Sequence, residues 1–139
     1  MQTNDVQVTR VYTTNKPGAA QDNTPNELGG TRLNEFQLVV NAESGDNLGD
    51  LQAAYTLIIS ATSTSGGTTT FARRKLAETI TAGKFGWTDL GNNAGYAKQE
   101  NIMVRAADFP AGDAYRFTVT LLANNGVVST ESSNEFVTI

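Results

Sequence analysis

Apolar side chains in this chain recur at every second position over short stretches, the period of a strand with one face in a core and one in water. Val6-Gln7-Val8-Thr9-Arg10-Val11-Tyr12-Thr13 opens the series with β-branched residues. Glu35-Phe36-Gln37-Leu38-Val39-Val40 follows, with Phe36, Leu38 and Val40 facing one way. From Ala53 to Ser63 the residues Tyr55, Leu57, Ile59 and Ala61 alternate with Thr56, Ser60 and Thr62, the clearest strand of all. Thr68 to Thr81 fits two periods. Ala72, Leu76 and Ile80 stand at helical spacing, but the start Thr68-Thr69-Thr70-Phe71 and the alternation of Ala72, Arg74, Leu76, Glu78 and Ile80 favour a strand. Asn101 to Ala107 predicts another, with Ile102 and Val104 inward. Tyr115 to Leu121 alternates strictly, and Asn124-Asn125-Gly126 predicts a hairpin turn because these residues tolerate positive φ. Val127-Val128-Ser129 and Asn134 to Ile139 would return along the edge.

No long helical stripe competes, so the pattern predicts an all-β fold of about seven strands at the spacings of a Greek-key sandwich. A chain of 139 residues fits one domain, 1–139, with a core large enough to stand without disulfides or metals. Between Asn15 and Arg32 two prolines and three glycines predict a long loop or arm. As an arm it would order on a neighbouring molecule.

The stretch from Phe109 to Ile139 resembles the last two strands of a fibronectin type III or related immunoglobulin-like domain. Phe109-Pro110-Ala111-Gly112-Asp113 forms a corner, Tyr115 opens an alternating strand, and an Asn-Gly turn leads into a Ser-rich final strand. The resemblance implies that the Tyr115 hydroxyl bonds back to upstream backbone. Two features depart from it. The single tryptophan, Trp87, lies past the middle of the chain, and the segment from Asn15 to Arg32 is longer than the usual first connection. A jelly-roll is the alternative topology.

Composition narrows the chemistry. Without histidine or cysteine the chain cannot build a Ser-His-Asp triad, a Cys-His dyad, or an imidazole or thiolate metal site. A formal charge of −4 argues against a nucleic-acid partner, which needs a concentrated basic surface. No apolar run reaches the length of a membrane span, and the start Met1-Gln2-Thr3-Asn4-Asp5 does not read as a signal peptide. Gly29-Gly30-Thr31 and Gly66-Gly67-Thr68 lack the spacing and lysine of a phosphate loop.

Three groups of residues remain as candidates. Glu43, Asp46 and Asp50 lie in one glycine-bearing loop and offer oxygen ligands suited to a calcium ion, although the spacing is not that of an EF-hand; the sequence predicts no other cofactor. Arg73, Arg74 and Lys75 form the densest basic run and could pair with an acidic surface on a neighbouring subunit; on a strand, Arg73 and Lys75 would face away from Arg74. Trp87 and Tyr96, with Phe85 and Tyr12, could form an aromatic platform for a sugar or a peptide beside Asn92-Asn93. With 19 Thr, 13 Asn and no catalytic signature, the chain predicts a non-enzymatic assembly protein. Its expected setting is a virion, as a capsid decoration or tail-associated subunit, or another extracellular surface, with protein subunits as partners. A carbohydrate- or protein-binding module of adhesin type is the alternative.

Overall fold

The computed structural model describes residues 3–139, save the side chain of Ala77. In chain order the strands are β1 (Val6–Thr14), β2 (Glu27–Leu28), β3 (Thr31–Arg32), β4 (Glu35–Ser44), β5 (Ala54–Ser63) and β6 (Thr69–Thr79). They continue as β7 (Trp87–Asp89), β8 (Tyr96–Arg105), β9 (Ala114–Ala123), β10 (Val128–Ser132) and β11 (Phe136–Val137). One short helix, α1 (Asp46–Asp50), separates β4 from β5. The described residues thus hold eleven strands, which corrects the expected seven: the additions are mostly two- and three-residue pieces that no hydropathy period can reveal.

Two antiparallel sheets pack against each other. One runs β1-β4-β8-β7; the other runs β10-β9-β5-β6, with β11 also paired to β9. The alternation read from sequence decides what lies between them. Phe36, Leu38 and Val40 of β4 meet Leu57, Ile59 and Ala61 of β5 and Phe117, Val119 and Leu121 of β9 in one continuous core. At one end of this core six aromatic rings gather. Phe109 lies 5.4 Å from Phe117 and 5.3 Å from Phe136, and Phe136 stacks on Phe117 at 5.2 Å with 15° between the planes. Burying each such ring contributes about 2–3 kcal/mol. That burial explains why a two-residue β11 is held at all.

Segment 15–32, expected as a long loop or arm, carries the short β2–β3 pairing and is tied to its own chain by several hydrogen bonds. Asp22 N–H donates to Thr13 O at 2.8 Å, and Val137 N–H donates to Asn23 O at 2.8 Å. Asn26 is fully buried; its amide accepts from Ile139 N–H at 2.9 Å and donates to Ile139 O at 3.1 Å. Gly29 and Gly30, both at positive φ, turn the chain between β2 and β3. The expected hairpin at Asn124-Asn125-Gly126 joins β9 to β10, with Gly126 at φ +89°.

Candidate functional site

Strand alternation turns Tyr96, Lys98, Glu100, Ile102 and Val104 of β8 toward the interior, because Ile102 and Val104 are core residues and the pleat has period two. Lys98 and Glu100 therefore lie where the edges β6 and β7 of the two sheets come together. The Lys98 side chain is fully covered; its ammonium is 2.9 Å from Glu100 Oε2, 3.8 Å from Glu78 Oε1, and also donates to the Phe85 carbonyl. Lys75 of β6 bonds Glu100 from the other sheet. Tyr55 O–H donates to Glu78 Oε1 at 2.6 Å and accepts from Trp87 Nε1–H at 3.2 Å. The Trp87 ring meets Tyr55 edge-on at 5.9 Å.

The electrostatics follow from this packing. Burial pushes the Glu100 carboxyl up, but attraction to Lys75 and Lys98 outweighs it and holds the group below the usual carboxylate range. Burial, then the bond to Glu78, pushes the Tyr55 hydroxyl far above that of a free tyrosine. Protons and charges in the cluster are committed to one another across the two sheets. Its chemistry is that of an ionic staple between sheets.

Sequence reasoning missed this cluster. The signal was present as Tyr96-x-Lys98-x-Glu100-x-Ile102-x-Val104, a strand whose alternation runs straight through two charges. The strand expected over 101–107 in fact runs Tyr96–Arg105, because Lys98 and Glu100 fill inward positions.

Of the residues singled out from sequence, the structure brings Lys75 and Trp87 to the Lys98 cluster and Tyr96 to Asp50, and sets the others apart. Glu43 sits on β4 opposite Gln7 and Ala97, while Asp46 and Asp50 belong to α1, so the expected acidic loop is the end of a strand followed by a helical turn. Among the described residues no three acidic side chains gather as a metal would require. Asp46 is nonetheless raised, by burial and then by Asp50 and Asp89. Arg73, Arg74 and Lys75 lie on β6 with their charges split between faces: Lys75 turns inward to Glu100, Arg73 lies 5.1 Å from the Phe71 ring, and Arg74 pairs outward with Ile58.

Trp87 and Tyr96 are both buried, which corrects the expectation of an aromatic platform. Trp87 fills the gap beside Lys98. Tyr96 packs against Gly49 of α1, where a Cβ would come within 1.9 Å of its ring, and donates to Asp50 Oδ1 at 2.9 Å.

What the strands leave open is the outer face of β10-β9-β5-β6. Val128 pairs with Leu122, Leu122 with Thr56, and Leu76 stands beyond on β6; these three apolar side chains are 55%, 38% and 64% exposed. Ile58 and Ala72 extend the apolar area past Arg74, and Arg116 faces outward opposite Thr62. The outward positions of these four strands hold two arginines and no carboxylate, on a chain whose formal charge is −4. Two shallow depressions mark the face, one of about 430 Å³ beside Leu122 and Ala54, the other of about 240 Å³ beside Ile58 and Ala72.

Among the described residues no helix is long and apolar enough to cross a membrane. No protein-family model matches the chain, and no curated protein matches it.

Proposed function

We propose that this chain is a non-enzymatic, immunoglobulin-like β-sandwich that works by docking against neighbouring protein subunits, as in the lattice of a virion or another extracellular assembly. The observation that carries the reading is the uncovered row of Val128, Leu122 and Leu76, with Arg74 near it and Arg116 farther along the same outer face. Exposed apolar side chains ranged across a sheet with charged side chains at its margin suit a protein interface, whose centre is apolar and whose rim is polar.

The strand order supports the immunoglobulin-like part. The succession β1-β4-β8-β7 corresponds to an A-B-E-D sheet and β10-β9-β5 to a G-F-C sheet, with β6 as a further strand beside β5. The Tyr115 hydroxyl, donating to the Pro110 carbonyl at 2.6 Å, supports it as a corner tyrosine. Trp87 departs from the pattern, since it lies on β7 and not on β5. The non-enzymatic part is supported by the lack of histidine and cysteine and by the mutual neutralisation of Lys98, Glu78 and Glu100. The Thr- and Asn-rich composition supports the virion setting.

Light scattering over a concentration series, alone and with preformed particles, tests this reading. Leu76→Lys with Leu122→Lys should lower the associated mass while leaving the thermal midpoint unchanged. Association that persists in a folded double variant overturns it.

A further inference from the structure

The opposite sheet carries a second feature. On the outer face of β1-β4-β8, Arg10 stands opposite Asn41, and Asn41 opposite Gln99, so one row presents a planar polar side chain on each of three neighbouring strands. Strands lie about 4.8 Å apart, a spacing comparable to one sugar ring. In the adjacent row Glu43 stands opposite Ala97, and Ala97 opposite Thr88. The small Ala97 leaves the floor low.

The walls come from two backbone irregularities. Thr9 is the extra residue of a bulge in β1, and Gly86 presses against β8 from the other side. Gly86 has φ +85°, and a Cβ there would lie 2.5 Å from the Gln99 carbonyl, so only glycine lets this wall approach. Together they bound a groove of about 490 Å³.

Apart from Lys98, which also lines the groove but whose ammonium is held in the interior, its charged and amide side chains are uncommitted. Among the described residues Arg10, Asn41, Glu43, Thr88 and Gln99 make no side-chain hydrogen bond within the protein, and Arg10 is positioned by lying 4.1 Å over the Tyr12 ring. The strands beneath them are fully paired, so these groups are held on rigid backbone.

We infer that this groove binds a neutral carbohydrate chain laid across the strands. One guanidinium and one carboxylate leave it without a dominant sign, which suits neither an anionic nor a cationic ligand. Two amides supply both donors and acceptors, and the forks of Arg10 and Glu43 can each span two adjacent hydroxyls. A polyhydroxylated ligand uses such a set in full. An apolar ligand would leave it unpaired, at a desolvation cost for every group covered. The site is independent of the apolar face on the other sheet.

A glycan array followed by titration with the best neutral oligosaccharide tests the inference on the full chain. Binding should weaken at least about tenfold in Asn41→Ala with Gln99→Ala. It should be unchanged in Asn101→Ala, on the same strand face outside the groove. Thermal midpoints of both variants establish that they fold. No neutral glycan bound by the parent chain, or binding that survives the double variant, overturns the inference, as does a charged peptide bound in competition with the sugar at lower concentration.

Discussion

Lys98 and Glu100, two residues apart on β8, both turn into the interior, and the Lys98 ammonium sits 2.9 Å from Glu100 Oε2. Lys75 and Glu78 reach the pair from β6, so opposite sheets are joined through charge where they would otherwise gape. Removing Lys98 leaves Glu78 and Glu100 with only part of their compensation, from Lys75. Lys98→Met should destabilise the protein by about 3 kcal/mol, at the lower end for a broken buried pair because Lys75 still serves Glu100. Lys98→Met combined with Glu100→Leu should recover much of that loss. Urea unfolding of both variants decides it, and an equal or greater loss in the double variant would sink the staple.

The same cluster makes stability depend on acid. Glu100 sits below its ordinary value of 4.5, and Asp113 lies below 3.8 because Ser63, Ser65 and the Ala114 N–H bond its carboxylate. Folding favours the ionised form of both groups, so their contribution is present above the ordinary values and is lost as pH falls through the lower, folded ones. The thermal midpoint should therefore drop between about pH 5 and pH 3, and less steeply in Glu100→Gln. Identical profiles for the parent chain and Glu100→Gln would remove Glu100 as a cause.

Tyr96 gives the opposite sign. Its bond to Asp50, then burial, pushes its hydroxyl from 10 up to about 12. Folding favours the protonated phenol, so this contribution is complete below pH 10 and is lost as pH rises through about 12. Tyr96→Phe should cost about 1 kcal/mol at neutral pH and flatten the alkaline limb. Gly49→Ala should cost about 1–3 kcal/mol, because its Cβ collides with the ring, and less when Tyr96 is also Ala. Chemical denaturation across pH checks all three.

Asn26 ties the segment 15–32 to the end of the described chain by two bonds with Ile139. Asn26→Ala removes both in a buried place and should cost about 2 kcal/mol. Amide exchange should then quicken at Phe136 and Val137. Exchange there as slow as in the parent chain would mean that the aromatic cluster alone holds β11.

The strands that were plain in the sequence are those whose inward positions are all apolar. β5 and β9 alternate in burial throughout, and their expected and observed spans differ by no more than two residues at either end. β8 was half hidden because Lys98 and Glu100 fill inward positions, and β4 ran past Val40 to Ser44 because small Ala42 and Ser44 keep the period without looking like core. The Thr68 to Thr81 ambiguity resolved as β6, a strand that lies against β5 and spends its basic run on two faces.

The candidate site followed a different logic. Local chemistry drew notice to Trp87, Tyr96 and the acids from Glu43 to Asp50, but exposure is not local. Trp87 is covered by Tyr55 from 32 residues away, and Tyr96 by α1 from more than 40. The groove residues Arg10, Asn41 and Gln99 had no motif to announce them, since strands distant in sequence bring them into one row.

By itself the sequence determined an all-β chain, the inward faces of its regular strands, the Asn124-Asn125-Gly126 turn and the exclusion of histidine and cysteine chemistry. These rest on period, turn propensity and residue inventory, which are properties of neighbours along the chain. Tertiary structure decided which charges are buried, which aromatics are covered and which outward rows lie uncovered side by side. Those depend on how strands pair and how the sheets meet, and on the rule that a buried charge persists only where another part of the chain supplies its partner.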